Sequence, residues 1–204
     1  FATLNAGLCA DGFVLALQPG ATLAQPVEIL HLAEGGAVHV RSAILAGPGS
    51  RATLVETHLG GEAEGWTNAV TTVEVGPGAV LAHAKLQAES PAAVHVAATR
   101  ARLGAAAEYR AFVLIAGARL SRHDIHATLA GEAARFGLDG AYLLRGEQEA
   151  TLAPVVDHQA RGGATAELVK GVLADRAHGV FLGAIVVREG ADDTDARQLN
   201  RNLM

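Results

Sequence analysis

The sequence predicts an all-β fold, a flattened parallel β-helix with two strands in each coil. Three observations favour it. The turn residues are evenly spaced, the segments between them are rich in β-branched residues, and every second turn repeats at twice the spacing of successive turns. The doubled period suits one coil of two short strands, because a stacked repeat places equivalent turns one coil apart. The turns lie at Gly47, Gly61, Gly76, Ser90-Pro91, Gly104, Gly117, Gly131, Gly146 and Gly162.

The first forty residues lack this regularity. Turn signals are present at Asp11-Gly12, Pro19-Gly20 and Gly35-Gly36, but their spacing is uneven. From Ala37 onward the spacing settles, and Val38 and Val40 alternate with polar neighbours as in a strand. We therefore expect the regular coils to begin near residue 37.

The later segments are predicted to be strands separated by tight turns. Ala52–Thr57 and Ala69–Val75 are rich in β-branched residues. Gly-Pro-Gly at 47–49 and again at 76–78 favours a turn, because proline fixes φ and glycine accepts a positive φ. Ala166–Ala174 has apolar residues at helical spacing, but the glycine inside it disfavours a helix. We predict a strand there.

A sandwich of hairpins is the alternative arrangement for evenly spaced short strands. It brings turns closer together than they are here, and it commonly uses Asn-Gly or Asp-Gly pairs. Such pairs are limited to Asp11-Gly12 and Asp139-Gly140 in this chain. The β-helix is therefore the favoured prediction.

Composition excludes several classes of function. The 204 residues are 50% apolar and 18% charged, with a net charge of −5 and no basic cluster, so a nucleic-acid surface is not expected. No run of about 18 apolar residues could span a membrane. The single cysteine, Cys9, excludes an internal disulfide and fits a reducing compartment; we expect it to be a buried thiol. No phosphate-binding G-x-x-x-x-G-K-[ST] motif is present.

The nine histidines raise the question of a metal site. Such a site needs three or four converging ligands, usually with one pair close in sequence. Only His123 and His126 are close, and a three-residue offset puts them on opposite faces of a strand. We therefore expect solvated or hydrogen-bonded histidines and no metal ligands.

Acidic residues give no clear catalytic signal. Glu56 and Glu74 fall at comparable positions on separate strands, so a carboxylate pair of the kind that cleaves polysaccharides is conceivable. Outward-facing, solubilising glutamates are the favoured interpretation. Asp192–Asp195 is expected to be a solvated turn rather than a cation site. No catalytic residue is assigned.

The last quarter of the chain carries four distinctive segments. They are Val156–Ala160, Glu167–Leu173, Ala177–Gly183 and Thr194–Leu203. Together with the start of the chain, Phe1–Ala6, they closely resemble the core of the SufB/SufD family of SUF iron–sulfur cluster assembly proteins. The pattern is more similar to the SufD branch than to the SufB branch.

That resemblance implies a right-handed parallel β-helix that forms a single domain over residues 1–204. It also implies a non-enzymatic, cytoplasmic scaffold of the SufBCD complex, which pairs with a SufB-like subunit and works with a SufC-like ATPase. The cluster would be assembled by the complex, with no cofactor bound by this chain alone. The candidate interface residues occupy the matching tail, where asparagines could equally stack inside the coils: Asp195, Gln198, Asn200 and Asn202.

The family is expected to continue beyond Met204 into a strand with a Cys-Ser-His-Gly-type motif and a helical region. We therefore expect none of the nine histidines to inherit the cluster-assembly role, and the chain alone neither to complete a cluster nor to recruit the ATPase. An exposed terminal coil predicts a homodimer or aggregation through that coil. The alternative function is a β-helical enzyme acting on polysaccharide.

Overall fold

A computed structural model describes residues 1–203, which contain one short helix and fifteen strands. The helix is α1 (Ala2–Leu8). The strands are β1 (Val14–Leu17), β2 (Val27–Ala33), β3 (Gly36–Ala46), β4 (Arg51–Gly60), β5 (Gly65–Val75), β6 (Val80–Ala88), β7 (Val94–Leu103), β8 (Glu108–Ile115), β9 (Leu120–Leu129), β10 (Arg135–Leu144), β11 (Glu149–His158), β12 (Ala164–Leu173), β13 (His178–Phe181), β14 (Ala184–Val187) and β15 (Asp195–Leu203).

The strands form two parallel sheets that face each other. Sheet A has the order β1-β3-β5-β7-β9-β11-β13, with β14 also paired to β11, and sheet B has the order β2-β4-β6-β8-β10-β12-β15. Consecutive strands up to β13 thus alternate between the sheets, and each odd–even pair up to β11 and β12 makes one coil. Coil 1 is β1 and β2, coil 6 is β11 and β12, and coil 7 is β13, β14 and β15.

The register confirms the predicted doubled period. On sheet B, Arg51 pairs with Val80, and Glu108 pairs with Arg135, so each residue lies beside its equivalent in the neighbouring coil. The predicted parallel β-helix with two strands per coil is therefore confirmed, and the hairpin sandwich is wrong. The segment with ambiguous spacing, Ala166–Ala174, lies almost entirely within strand β12, as predicted.

The turns from sheet A to sheet B repeat one backbone conformation. The residue with positive φ in each turn donates its N–H to a carbonyl of the corresponding turn in the next coil. This ladder of hydrogen bonds explains why turn residues recur once per coil at a constant position. The donors are Gly20, Gly49, Gly78, Ala106, Ala133 and Gly162.

The N-terminal segment departs from the all-β prediction. Helix α1 packs on strands β3 and β5, where the fully buried Asn5 side chain donates to the carbonyls of Val40 (2.9 Å) and Asn68 (2.8 Å). Cys9 follows the helix in extended backbone and is exposed, so the expected buried thiol is wrong. Within residues 1–203, no helix is both long and apolar enough to cross a membrane.

The core lies between the two sheets, where alternate residues of the strands point inward. In coils 5 and 6 most of these residues are large and apolar, such as Phe136, Leu138, Leu152 and Val156. Each such side chain stabilises the fold by about 1.5–3 kcal/mol when it leaves water. The interior of the earlier coils is different, because polar residues replace the apolar ones at one side.

Candidate functional site

The structure offers two candidate functional regions, the terminal strand β15 and a polar part of the interior. Strand β15 closes the described end of sheet B, and each of its nine residues is exposed. It pairs with β12 along one side, from Ala164–Asp195 to Val172–Leu203. Its other side has no strand partner among residues 1–203, so its backbone N–H and C=O groups form an open sheet edge.

Three of the four predicted interface residues share one face of β15. Gln198, Asn200 and Asn202 are spaced by two residues, so their side chains point to the same, inward side. The Gln198 amide donates to a carboxylate oxygen of Glu167 at 2.5 Å, and the Tyr142 hydroxyl donates to Asn202 Oδ1 at 2.6 Å. They form a row of amides over the end of the interior.

Asp195 does not belong to this row. It lies at an odd position of the strand and forms an exposed ion pair with Arg197 at 3.3 Å. Nearby, Asp193 forms an exposed ion pair with Arg161 at 2.9 Å. The acidic stretch Asp192–Asp195 thus contributes to surface ion pairs, in keeping with the predicted solvated turn.

The second region is a largely buried cluster of polar and titratable side chains in coils 1 to 5. We call it the interior polar cluster. Its members come from strands β2, β4, β5, β6, β7, β8 and β9 and from the loop after β6. They are His31, Glu56, His58, Thr67, His83, Lys85, Gln87, Glu89, His95, Thr99, Tyr109 and His123.

Glu56 is the centre of one half of the cluster. One carboxylate oxygen lies 2.8 Å from His58 Nε2 and 3.2 Å from His31 Nε2. The other lies 3.1 Å from His83 Nε2, and the Tyr109 hydroxyl lies 3.0 Å from His83 Nδ1. An ionised carboxylate only accepts hydrogen bonds, so His58 and His83 must carry their protons on Nε2.

Glu89 is the centre of the other half. It lies in the loop after β6, and it accepts hydrogen bonds from Thr67 (2.5 Å) and Gln87 (3.0 Å). His95 Nδ1 lies 2.6 Å from a Glu89 oxygen but is not aligned for a hydrogen bond. The His58 ring links the two halves, because it stacks on His31 (centroids 4.3 Å apart) and meets His95 edge-on (4.9 Å).

Burial and charge together set the protonation of the carboxylates. Burial raises the pKa of Glu56, but Lys85 and the three imidazoles outweigh it and hold the pKa well below its ordinary value. Burial likewise raises the pKa of Glu89, yet His95, Thr67 and Gln87 lower it to about 2. Both carboxylates are therefore anionic at neutral pH.

The imidazoles of His58, His95 and His123 are neutral, because burial disfavours their charged form. Burial, together with the charge of Lys85, lowers the pKa of His58 to about 3 and also lowers the pKa of His95 and of His123. Burial also lowers the pKa of Lys85, against the pull of the two glutamates. Neutral imidazoles beside anionic carboxylates are in the protonation states that bind metal ions.

The cluster corrects one sequence-based interpretation and agrees with another. The sequence favours a solvent-facing Glu56, but Glu56 is 1% exposed, because it shares the inward face of β4 with Ala52 and Leu54. Glu74 is exposed on the other sheet, so the two carboxylates do not face one groove. The polysaccharide-cleaving pair is therefore not formed by these residues.

The histidines agree with the sequence-based prediction only in part. His123 is buried and bonded to Thr99 (2.9 Å), whereas His126 is exposed on the opposite face, as predicted. The convergence of His31, His58 and His95 escapes sequence reasoning, because these residues are distant along the chain. One sequence signal could have indicated it. His31 and His58 occupy equivalent positions of neighbouring coils, so their side chains lie in one inward-facing row.

A parallel β-helix with two strands in each coil places this chain in the class of β-solenoid proteins. Comparison with known proteins narrows that class to one family. The family model described as "SUF system FeS cluster assembly, SufBD core domain" matches residues 29–204. This chain belongs to the SufB/SufD family.

Three curated relatives support this assignment. The chain is 32% identical over 139 residues to an iron-sulfur cluster assembly SufBD family protein of Synechocystis sp., covering 68% of this chain and 31% of the relative. It is 33% identical over 166 residues to protein ABCI7, chloroplastic, of Arabidopsis thaliana, covering 79% and 34%. It is 25% identical over 197 residues to the iron-sulfur cluster assembly protein SufD of Escherichia coli, covering 93% and 47%. The chain thus spans less than half the length of each of these relatives.

Proposed function

We propose that this chain is a non-enzymatic scaffold subunit of SUF iron–sulfur cluster assembly. In this proposal it pairs with a SufB-like subunit through coil 7, and the pair works with a SufC-like ATPase in the cytoplasm. The cluster is the cargo of the assembled complex and not a resident group of this chain. Family membership supports a role in SUF cluster assembly, and the assignment to a particular subunit role is our proposal.

The observation that carries the pairing step is the terminal strand β15. Among residues 1–203, its outer backbone edge is unpaired, and it carries the amide row Gln198, Asn200 and Asn202. Leu199 and Leu203 are 44% and 71% exposed on the opposite face of the strand. A partner strand added to this edge would satisfy the backbone groups and cover apolar surface at the same time.

Co-purification tests this proposal. The untagged chain is co-expressed with tagged SufB-like and SufC-like subunits from the same genome, and the mass of the complex is measured by size exclusion with light scattering. We expect a stoichiometric complex with the SufB-like subunit. Asn200→Arg should abolish it, because a charge is placed in the centre of the amide row. Glu28→Arg, on strand β2 at the opposite end of the β-helix, is the matched control and should leave the complex intact.

Two outcomes would contradict the proposal. One is a complex that forms as well with Asn200→Arg as with the wild type, since coil 7 would then not be the interface. The other is an absence of any complex when both proteins are folded. The chain alone should self-associate through the same edge. A strict monomer at high concentration that also fails to bind the SufB-like subunit would show that the edge of β15 is not an interface.

A further inference from the structure

Two rings of the interior polar cluster, His58 and His95, have buried nitrogens without a hydrogen-bond partner. They are His58 Nδ1 and His95 Nε2, in side chains that are 1% and 3% exposed, whereas His95 Nδ1 lies 2.6 Å from a Glu89 oxygen. Buried polar groups in folded proteins are almost always paired, and an unpaired one is costly. Orphaned nitrogens on two rings in contact therefore indicate a ligand between them.

A carboxylate completes this group. The donor atoms of His58, Glu89 and His95 all lie within 4.8 Å of one another, and all three residues are buried. In a tetrahedral zinc site, bonds of about 2.0–2.2 Å place neighbouring donor atoms about 3.4 Å apart. Two imidazoles and one carboxylate are a donor set that Zn²⁺ and Fe²⁺ both accept.

We propose that His58, Glu89 and His95 bind one divalent transition-metal ion, of the Zn²⁺ or Fe²⁺ class, inside the β-helix. This ion would be resident in the chain and distinct from any cluster that the assembled complex builds. The proposal rests on the interior geometry alone and does not depend on the pairing proposed for coil 7.

The surroundings of the three residues suit a metal site. Glu56 accepts the Nε2 proton of His58, which leaves the Nδ1 lone pair free and fixes the direction of the ring. A carboxylate behind a ligating histidine is the usual support in metal sites. Thr67 and Gln87 hold the Glu89 carboxylate in the same way.

The charge of the cluster also favours a cation. Glu56 and Glu89 carry two negative charges, and Lys85 is the only lysine or arginine among the buried residues of the described chain. The cluster therefore has one excess negative charge, and because uncompensated buried charge is costly, this excess attracts a cation.

A second triad, His31, Glu56 and His58, has similar spacing but fits less well. Two of its three members already pair with each other, because Glu56 accepts the Nε2 proton of His58 at 2.8 Å. His31 is also partly exposed, with 17% of its side chain accessible. Glu89 and His95 are wholly interior, so we place the ion with them.

Cobalt titration tests the site. The untagged chain is stripped with a chelator, titrated with Co²⁺ and then with Zn²⁺, and followed by visible absorption. We expect one equivalent of Co²⁺ to give the intense bands of a low-coordinate site, and Zn²⁺ to displace it. His95→Gln and Glu89→Gln should weaken binding more than about 100-fold, and Glu56→Gln, which removes the support behind His58, by about 10- to 100-fold.

His123→Gln is the matched control, because His123 is an equally buried histidine of the same interior that lies outside the triad. It should bind Co²⁺ like the wild type. Unaltered binding by folded His95→Gln, or loss of binding in folded His123→Gln, would overturn the proposal. So would loss in His31→Gln alone, which would place the ion at the second triad.

A measurement on the wild type avoids any dependence on variant folding. X-ray absorption at the zinc edge of the chain loaded with one equivalent of Zn²⁺ reports its directly bound atoms. We expect two imidazoles and additional oxygen. A spectrum of fewer than two imidazoles, or a failure to retain Zn²⁺ after gel filtration, would overturn the proposal.

Discussion

Two interior glutamates of the same β-helix, Glu56 in β4 and Glu167 in β12, have opposite electrostatic behaviour. Both lie on sheet B, point inward and are almost completely buried. Glu56 has three imidazoles within 3.2 Å and its pKa is held well below its usual value. Glu167 has one amide partner, one oxygen without any partner, and a pKa raised by burial.

This difference shows that the repeated backbone of the β-helix does not determine the chemical environment of its interior side chains. The backbone around the two residues is equivalent, because each strand repeats the register of the previous coil. The neighbouring side chains therefore determine whether burial of a carboxylate ends with a lowered pKa, as at Glu56, or a raised pKa, as at Glu167. The earlier coils supply those neighbours, and the later coils supply mostly apolar ones.

The largest effect is expected from breaking the environment of Glu56. Glu56→Gln removes the anion to which His58 and His83 donate and leaves Lys85 with less compensating charge. Removing one partner of a buried charge network costs about 3–5 kcal/mol. Chemical denaturation should show a loss of that order in the free energy of unfolding.

Glu74→Gln, on the exposed face of β5, is the control and should change the free energy of unfolding by less than about 0.5 kcal/mol. If Glu56→Gln were as mild as this control, the interior polar cluster would not be an organised network, and the comparison with Glu167 would fail.

The stacking of the backbone coils can be tested separately from the interior side chains. A Cβ at Gly131 would lie 2.0 Å from the backbone nitrogen of Ala105 in the preceding coil, whereas one at Gly137 meets nothing within 4 Å. Gly131→Ala must therefore push two coils apart, and we expect a loss of about 3 kcal/mol by denaturant unfolding. Gly137→Ala is the matched control and should be neutral or slightly stabilising. Equal losses from both would show that close stacking of turns does not hold the coils together.

The smallest expected effect concerns Glu167 and its dependence on pH. A pKa raised in the folded state means that folding favours the protonated form. Its stabilising contribution is present below the unfolded pKa and is lost as pH rises through the folded pKa. Glu167→Gln lacks this dependence, so its unfolding free energy should exceed that of the wild type at pH 7 by about 1 kcal/mol, and by less at pH 4.

Glu149→Gln, exposed on β11, removes the same charge and corrects for the net charge of the chain. A Glu167→Gln variant that is less stable than wild type at pH 7, after this correction, would show that the carboxylate is well accommodated and that the contrast with Glu56 is wrong.

The fold could be predicted from the sequence because its determinants are local and repeated. Turn residues recur once per half-coil, since each turn must accommodate a positive φ or a close approach to the previous coil, as at Gly78 and Gly131. Helix α1 could not be predicted, because it lies outside the repeat. Its position depends on Asn5 reaching two strands that are distant in sequence.

The interior polar cluster could not be predicted in the same way. Its ligand-type residues lie on different strands or loops, and only stacking brings His58, Glu89 and His95 together. A rule that seeks nearby pairs in sequence fails in a β-helix, where neighbours within a sheet are separated by a whole coil of chain. The interface role of the four terminal residues stays a prediction; the structure adds that Gln198, Asn200 and Asn202 share a face of β15, whereas the Asp195 side chain lies on the opposite face.

We propose that the earlier coils hold a divalent metal ion, which the repeated backbone of the β-helix does not by itself require. The most direct test is the free energy of unfolding of the untagged chain with and without Zn²⁺, in wild type and His95→Gln. A site that binds only the folded chain stabilises it by about 2.7 kcal/mol at a hundred times the Kd. We predict a gain of this size for the wild type and none for His95→Gln; an unchanged wild type, or an equal gain in both proteins, would contradict the account.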